Sequence, residues 1–294
     1  MNELWDTLKN ASFKLFGKSL EPYVEYFSSI KTDLDMSGIS LSLAEYVYVI
    51  VFLPFIIFMT EFPLLALILS ILTQNMLVGF FLSFTLTSFI ALTAFFVLYS
   101  YPSMISAKRK KNIDGALPFA TTYLATVAGS RAPPITMFKV LSQFAEYGEI
   151  SKEAKKIYRD VAVFGMDLQA AMRKTASRTP SAQLKELLWG MSNVLATGSD
   201  MPSFLREKSK GFMQEYRRGL EQFAQKLSMF IEIYLTVLIV GSIFFVILSS
   251  IMSLFSSDMS LTLSFAQFMV IFFVMPAVSV GFIALLKAVS PSMM

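Results

Sequence analysis

The sequence of 294 residues contains no cysteine and no histidine. The absence of cysteine excludes disulfide bonds and thiolate chemistry. Together, the two absences exclude zinc sites built from His or Cys, Ser-His-Asp triads and Cys-His dyads. None of the 13 glycines begins the Walker pattern G-x-x-x-x-G-K-[ST], so a nucleotide-binding loop is excluded as well. We therefore predict that the chain is not an enzyme and has no cofactor or metal site.

Apolar residues dominate what is present. They make up 55% of the chain, and the mean hydropathy is +0.59, which indicates a membrane protein. A span needs roughly 20 apolar residues. Four runs meet this requirement, the first only if it continues past the Glu61–Pro63 interruption. They are residues 44–72, 76–100, 228–255 and 263–288.

The basic residues predict the topology. Of the 25, 20 lie in residues 101–226 and 4 in residues 1–43, while the short connectors at 74–75 and 256–262 carry none. The positive-inside rule then places the central segment, the N-terminus and the C-terminus in the cytoplasm. The localisation that follows is a multi-pass protein of the cytoplasmic membrane.

The expected fold is an all-α membrane protein. Its four transmembrane helices accompany a cytoplasmic six-helix bundle made of two quasi-repeated halves, because apolar residues in the central segment recur at helical spacing. The boundaries divide the chain into an N-terminal amphipathic segment, two pairs of spans and a central domain. These are residues 1–43, 44–100 (spans one and two), 101–226 (the domain) and 227–294 (spans three and four with a short cytoplasmic tail).

A repeated turn marks the two halves, since "AGSRAPPIT" at 128–136 is echoed by "TGSDMPSFL" at 197–205. We expect Gly129 and Gly198 to end helices in left-handed caps, with Ser or Asp opening the next helix.

Three other residues bound helices within the central segment. Gly165 is expected to stop a helix, Asp167 to cap the following one, and Thr179 to be an N-cap before Pro180.

The last cytoplasmic helix has an apolar stripe that runs into the third span. A single rod from about residue 203 to 255 would couple the domain to the membrane, and the alternative is a kink at Gly219 or near Lys226. The N-terminal segment is expected to be an interfacial helix or to dock on the cytoplasmic domain.

Two basic groups and one carboxylate are the candidate functional residues. A run below the second span is expected to anchor the topology and bind anionic lipid. A second group is either a solvated face or a docking face for an acidic partner, and nucleic acid is disfavoured because exposed aromatics are not interleaved. Glu232 stands about one turn inside the third span. The run below the second span is Lys108, Arg109, Lys110 and Lys111. The second group is Lys155, Lys156, Arg159, Arg173, Lys174 and Arg178.

Three stretches resemble the type II secretion system F family of platform proteins, in the branch serving archaella, archaeal type IV pili and Tad pili. They are "IDGALPFATTYLATVAGSRAPPITMFKVL", "AKKIYRDVAVFGMDLQAAMRKTASRTPSAQL" and "LLWGMSNVLATGSDMPSFLREKS". Many relatives carry two such domains and three spans, whereas this chain has one domain and four spans. That departure favours the archaeal or Tad-like branch.

The resemblance implies a non-enzymatic platform under a hexameric secretion ATPase, whose motion extracts pilin or archaellin subunits into a filament. It also implies a homodimer or a paired platform subunit. The second basic group would meet the ATPase, and Glu232 would meet the positive N-terminal amine of a pilin. A membrane transporter subunit is the alternative, since polar residues interrupt the second span and Pro276 the fourth.

Overall fold

The computed structural model describes residues 12–13, 20–130, 132–255 and 260–289. The described residues are helical, with no strand among them, and four helices are long and apolar enough to cross a membrane. The chain divides into two compact units, residues 1–204 and 205–294, which are described separately. The all-α membrane fold predicted from the sequence is confirmed.

The first span is helix α2, Leu43–Thr73. It begins with a capping box, in which Ser42 Oγ accepts a hydrogen bond from the Glu45 amide and the Glu45 carboxylate accepts one from the Ser42 amide. The helix continues through Glu61 and Pro63, as the apolar run required. Gln74, with a φ of 51°, ends it in the left-handed conformation.

Helix α3, Met76–Gly129, contains the second span and then continues for a total of 54 residues. The Asn75 side chain accepts hydrogen bonds from the first amides of α3, so the two spans form a tight hairpin. Tyr46 Oη donates to the Leu98 carbonyl at 2.8 Å, which joins the two helices at the end of the hairpin opposite the turn at residues 74–75. The boundary expected at residue 100 therefore falls inside one continuous helix.

The described part of the N-terminal segment docks on this hairpin. A 3₁₀ helix, Glu21–Phe27, leads into α1, Ser28–Ser37. Ile30 and Leu34 of α1 are buried against Tyr46 and Ile50 of α2. Residues 1–11 and 14–19 of the segment, which the interfacial-helix expectation includes, lie outside the described residues.

The central region forms a helical bundle on the continuation of α3. Its apolar core includes Ile113, Leu117 and Leu124 of α3, together with side chains from α4, α5 and α7. The helices that complete it are α4 (Pro134–Leu141), α5 (Glu149–Ala162), α6 (Leu168–Arg178), α7 (Ala182–Thr197) and the start of α8 (Met201–Leu235).

The third span continues α8 without a break in helical structure. A π-helical stretch, Thr236–Val240, joins α8 to α9, Gly241–Phe255. The α-helix continues through Gly219 and Lys226, the two positions considered for a kink. The fourth span consists of α10 (Ser260–Met269), a second π-helical stretch (Val270–Val274) and α11 (Met275–Val289).

The repeated turns differ in their caps. Gly198 has a φ of 67° and is a left-handed C-cap, as expected. Gly129 is instead the last residue of α3, and Ser130 follows it with a φ of −80°, so the left-handed cap expected at Gly129 is wrong. In the second copy, the Asp200 carboxylate accepts from the Ser203 amide, whereas α4 begins at Pro134 with no side-chain cap.

Two helix ends agree with the sequence and one does not. Gly165, with a φ of 68°, follows the end of α5, and Asp167 accepts a hydrogen bond from the Ala170 amide as the N-cap of α6. The N-cap of α7 is Ser181 and not Thr179. The hydroxyl of Ser181 accepts from the Leu184 amide and donates to Asp114, so it ties α7 to α3.

Candidate partner-binding face

Helix α5 has one apolar and one basic face. It follows Gly148, whose φ of 54° reverses the chain, and it places Glu149 in the first turn, where the helix dipole favours an acid. Ile150, Ala154 and Ile157 are buried on the apolar face. The opposite face carries Lys152, Lys155, Lys156 and Arg159.

Four of the six cations expected to bind a partner line one cleft, which we call the basic cleft. It has a volume of about 240 Å³ and lies between α5, α6 and the end of α1. Lys155 and Arg173 are exposed but do not line it. The lining residues are Lys156, Arg159, Lys174 and Arg178, with Asp35, Gly38, Ile39, Ser40, Glu153, Asp160 and Thr175.

The buried acids of the basic cleft are already ion-paired. Glu153 accepts from Lys156 Nζ at 2.9 Å, and Asp160 accepts from Lys174 Nζ at 2.7 Å. Arg159 lies over the ring of Phe164, 5.8 Å from its centroid. Within the described ranges, neither Arg159 nor Arg178 forms an ion pair, so the two arginines remain able to bind an anion.

Arg109 is buried where α1, α3 and α5 meet. Its Nε donates to Glu149 at 2.8 Å, its guanidinium also donates to Glu153, and a third hydrogen bond reaches the Met36 carbonyl. Only 11% of its side chain is exposed. The lipid contact expected for Arg109 does not fit this position, because all of these contacts are within the protein.

Glu149, beside Arg109, is held in the charged form. Burial alone would raise the pKa of Glu149, but hydrogen bonds from Lys152 and Arg109, with the charges of both, bring that pKa below its ordinary value. A depressed carboxylate pKa means that the folded structure is stabilised by ionised Glu149. We call this group of Arg109, Glu149, Glu153 and the Met36 carbonyl the Arg109 junction.

The other three cations of the run below the second span have a different environment from Arg109. Lys108, Lys110 and Lys111 are exposed on α3. They therefore keep the position that contact with lipid headgroups would need, and the anchoring role stays a prediction for these three.

Glu232 is exposed near the N-terminal end of the third span's apolar run. Tyr234, two residues on, faces the fourth span, where it stacks on Phe282 with ring centroids 4.4 Å apart and lies 3.1 Å from the Ser279 hydroxyl. Two residues of α-helix turn by about 200°. Glu232 thus points away from the fourth span, which leaves it accessible to another chain within the membrane.

The hydroxyls that suggested a transporter are bonded within their own helix. Thr85, Thr87 and Thr93 of the second span each donate to a carbonyl three or four residues earlier in α3. Each of these three hydroxyls therefore has a hydrogen-bond partner within its own helix.

Sequence reasoning missed that Arg109 and the N-terminal segment belong to the same structure as the basic group. The spacing of Glu149 and Glu153, one helical turn apart, is the signal that could have indicated a buried basic partner. No local pattern indicated that residues 38–40 would line the cleft, since that depends on how α1 docks.

The fold and the basic face of α5 define the class of this protein. It is a multi-pass helical membrane protein in which a basic helical domain lies, in the sequence, between two pairs of spans. Residues 120–249 match the family model of type II secretion system (T2SS), protein F. The matched residues make up less than half of the chain, and over this region the resemblance noted in the sequence is confirmed.

Curated relatives include archaeal proteins. An uncharacterized protein of Methanocaldococcus jannaschii is 28% identical over 134 residues, which cover 46% of this chain and 22% of the relative. A flagella accessory protein J of the same organism is 27% identical over 137 residues, which cover 46% of this chain and 24% of the relative. The flagella accessory protein J of Methanococcus voltae is 26% identical over 145 residues, which cover 49% of this chain and 26% of the relative. The chain thus matches about a quarter of the length of each relative. No solved structure matches it.

Proposed function

We propose that the chain is a non-enzymatic platform in the cytoplasmic membrane for a type IV filament or a related secretion machine. The protein F domain and the similarity to two flagella accessory proteins support this role. The observation that carries the proposal is the combination of that domain with two pairs of spans and no recognisable catalytic set.

The proposed orientation places the domain and both termini in the cytoplasm. Its support is the charge distribution, with 20 of 25 basic residues in the segment between the second and third spans. A cysteine introduced at Lys111 should react with a membrane-impermeant maleimide only from the cytoplasmic side. Reaction from the outside of intact cells would contradict the orientation.

We propose that the domain transmits the motion of a hexameric secretion ATPase to pilin or archaellin subunits. Continuous helical structure from Met201 through Phe255 supports such coupling, because force applied to a helix is carried along its axis. The chain would act with a second copy or a paired platform subunit beneath the six-fold motor.

The proposed contact with the ATPase is the basic face formed by Lys155, Lys156, Arg159, Arg173, Lys174 and Arg178. Lys155 and Arg173 give the sharpest test, since neither is ion-paired in the described chain and reversing them leaves the buried acids satisfied. Arg173 Nε also donates to the buried Ser192 hydroxyl at 3.0 Å, so thermal unfolding of the double variant must be measured beside the binding. We expect Lys155→Glu with Arg173→Glu to reduce co-purification of the ATPase at least tenfold. This corresponds to about 1.4 kcal/mol.

A matched control makes the same change in charge elsewhere. Lys139 and Lys185 are exposed on α4 and α7, and neither lines the basic cleft. Lys139→Glu with Lys185→Glu should leave co-purification unchanged. Equal loss in both double variants would show that net charge, not this face, sets the binding.

The proposed contact with the filament subunit is Glu232, which is exposed and points away from the fourth span. An unpaired carboxylate at the edge of the hydrocarbon is costly, so a positive N-terminal amine would stabilise it. We expect Glu232→Gln to reduce filament assembly while Glu221→Gln, lower on α8, has no effect. Normal filaments from Glu232→Gln would refute the contact.

A further inference from the structure

The turn between α5 and α6 exposes two consecutive apolar side chains. Val163 is 70% exposed and Phe164 is 67% exposed. Gly165, with its left-handed φ, reverses the chain immediately afterwards, so the two side chains lie at the tip of a tight turn. Adjacent apolar side chains at a protruding turn are typical of a surface that is covered by a partner or a membrane.

Positive charge surrounds this turn. Arg159 lies over the Phe164 ring, and Arg178, at the end of α6, lines the same basic cleft as Arg159. The buried acids of the cleft are occupied by Lys156, Lys174 and Arg109. Neither arginine forms an ion pair with a described residue, and the apolar tip lies beside both. This combination matches a membrane surface, where negatively charged headgroups cover an apolar interior.

The basic cleft lies near the inner end of the first span. Its wall includes Ser40, which is three residues before Leu43, the first residue of α2, so the two lie within about 10 Å. The Tyr46 hydroxyl of α2 donates a hydrogen bond to the carbonyl of Leu98 in α3, and Leu98 lies at the end of the exposed apolar stretch of the second span. Long arginine side chains at this depth can reach the headgroup layer.

We propose that the α5–α6 turn docks on the inner leaflet of the membrane. Val163 and Phe164 enter the boundary between headgroups and acyl chains, and Arg159 and Arg178 bind the phosphates of anionic phospholipids. The inference rests on the cytoplasmic orientation in the proposed function. It assigns the arginines of the basic cleft to lipid and leaves Lys155 and Arg173 for the soluble partner.

The absence of cysteine permits a direct test in the full-length chain. Val163→Cys carries an NBD fluorophore, and the protein is placed in nanodiscs of phosphatidylcholine alone or with 30% phosphatidylglycerol. Brominated acyl chains should quench the label, and more strongly when phosphatidylglycerol is present. In this labelled chain, Arg159→Gln with Arg178→Gln should lower the ratio of docked to undocked turn by up to about thirty-fold, at ~1 kcal/mol per charge.

The control label is placed at Trp189, which is also exposed. It lies on α7, whose Leu187 and Leu188 pack with Leu117, about 28 Å farther along α3 than Leu98 at ~1.5 Å per residue. Trp189→Cys with the same fluorophore should not be quenched. Phe164→Ser in the Val163→Cys chain should weaken quenching with and without phosphatidylglycerol, because it removes the apolar part of the contact.

Three outcomes would overturn the proposal. They are no quenching at position 163, quenching independent of phosphatidylglycerol and of both arginines, and equal quenching at position 189. A shift of the label only on addition of the ATPase would assign the turn to the soluble partner instead. Both leaflets of a nanodisc have the same lipids, so quenching of the label does not depend on which way the protein is inserted. The proposed function is tested separately, by maleimide labelling for the orientation and by co-purification for the ATPase contact.

Discussion

The two helical hairpins of the protein are held together by different means. In the first, Gly79 of α3 comes so close to Ser70 of α2 that a methyl group would lie 2.5 Å from the Ser70 backbone. Four phenylalanines, Phe58, Phe62, Phe80 and Phe84, interlock beside this contact. In the second, polar side chains pair between the spans, with Gln267 Nε2 donating to Ser249 Oγ.

The backbone differs in the same way. The described helices of the first hairpin are α-helical throughout, even at Pro54 and Pro63. Each span of the second contains a five-residue π-helical stretch, and Pro276 follows the one in the fourth span. Close backbone packing needs regular helices, whereas π stretches occur often at functional sites. The second hairpin is therefore the less regular of the two, and its third span continues α8.

Breaking the Arg109 junction should have the largest effect on the first unit. Arg109→Met removes the cation that Glu149 and Glu153 share, while Lys152 still pairs with Glu149 and Lys156 with Glu153. Because neither carboxylate is left without a cation, the cost should lie near the lower end of the range of about 3–5 kcal/mol for breaking a buried ion pair. Thermal unfolding of the purified protein in detergent micelles should start at a lower temperature. Lys110→Met, which removes an exposed charge from the same helix, is the control, and an equal shift in both would contradict a structural role for the junction.

The sequence predicted most of the fold for clear physical reasons. Runs of apolar residues fixed the four spans, and Gly165, Asp167 and Gly198 acted as expected because their effects on the backbone are local. Gly129 did not, because it is still part of α3 and the C-cap of that helix is Ser130, whose φ of −80° is not left-handed.

The candidate site was only partly predictable. Helical spacing brought Lys156 and Arg159 to one face of α5, but Arg178 joins them through the packing of α6. Arg109 looked like one of four equivalent cations, and only the tertiary contact with α1 and α5 separates it from its neighbours. Contacts between residues 40 or more positions apart leave no local pattern in a single sequence.

The next effect concerns the close contact in the first hairpin. Gly79→Ala places a carbon against the Ser70 backbone, so the helices must separate, at a cost of about 1–3 kcal/mol. Gly241→Ala in the second hairpin meets open space within 4 Å and should change stability little. Unfolding by SDS titration measures both variants, and similar losses would remove the distinction drawn between the hairpins.

A smaller effect is expected from the polar pair in the second hairpin. Gln267→Leu removes the hydrogen bond to Ser249, which is almost fully buried. Side-chain hydrogen bonds between membrane helices contribute about 0.6 kcal/mol on average, so the loss should be of that size. Ser249→Ala and the double variant complete a cycle measured by the same titration. Additive losses would show that the pair does not stabilise the hairpin.

The smallest effect should come from mild acid, which should act on the first unit through Glu149 but not on the polar pair of the second hairpin. Because the folded pKa of Glu149 lies below its ordinary value of 4.5, ionised Glu149 stabilises the fold above that pH, and this stabilisation decreases as pH falls through 4.5 toward the folded pKa. The loss is partial, since Arg109 keeps its bonds to Glu153 and the Met36 carbonyl. The Gln267–Ser249 pair is neutral and does not titrate. The free energy of unfolding of the first unit should therefore fall between pH 5 and about 4 in the parent chain, and fall less in Glu149→Gln. Equal dependence of that free energy on pH in the two chains would assign the acid sensitivity to other carboxylates.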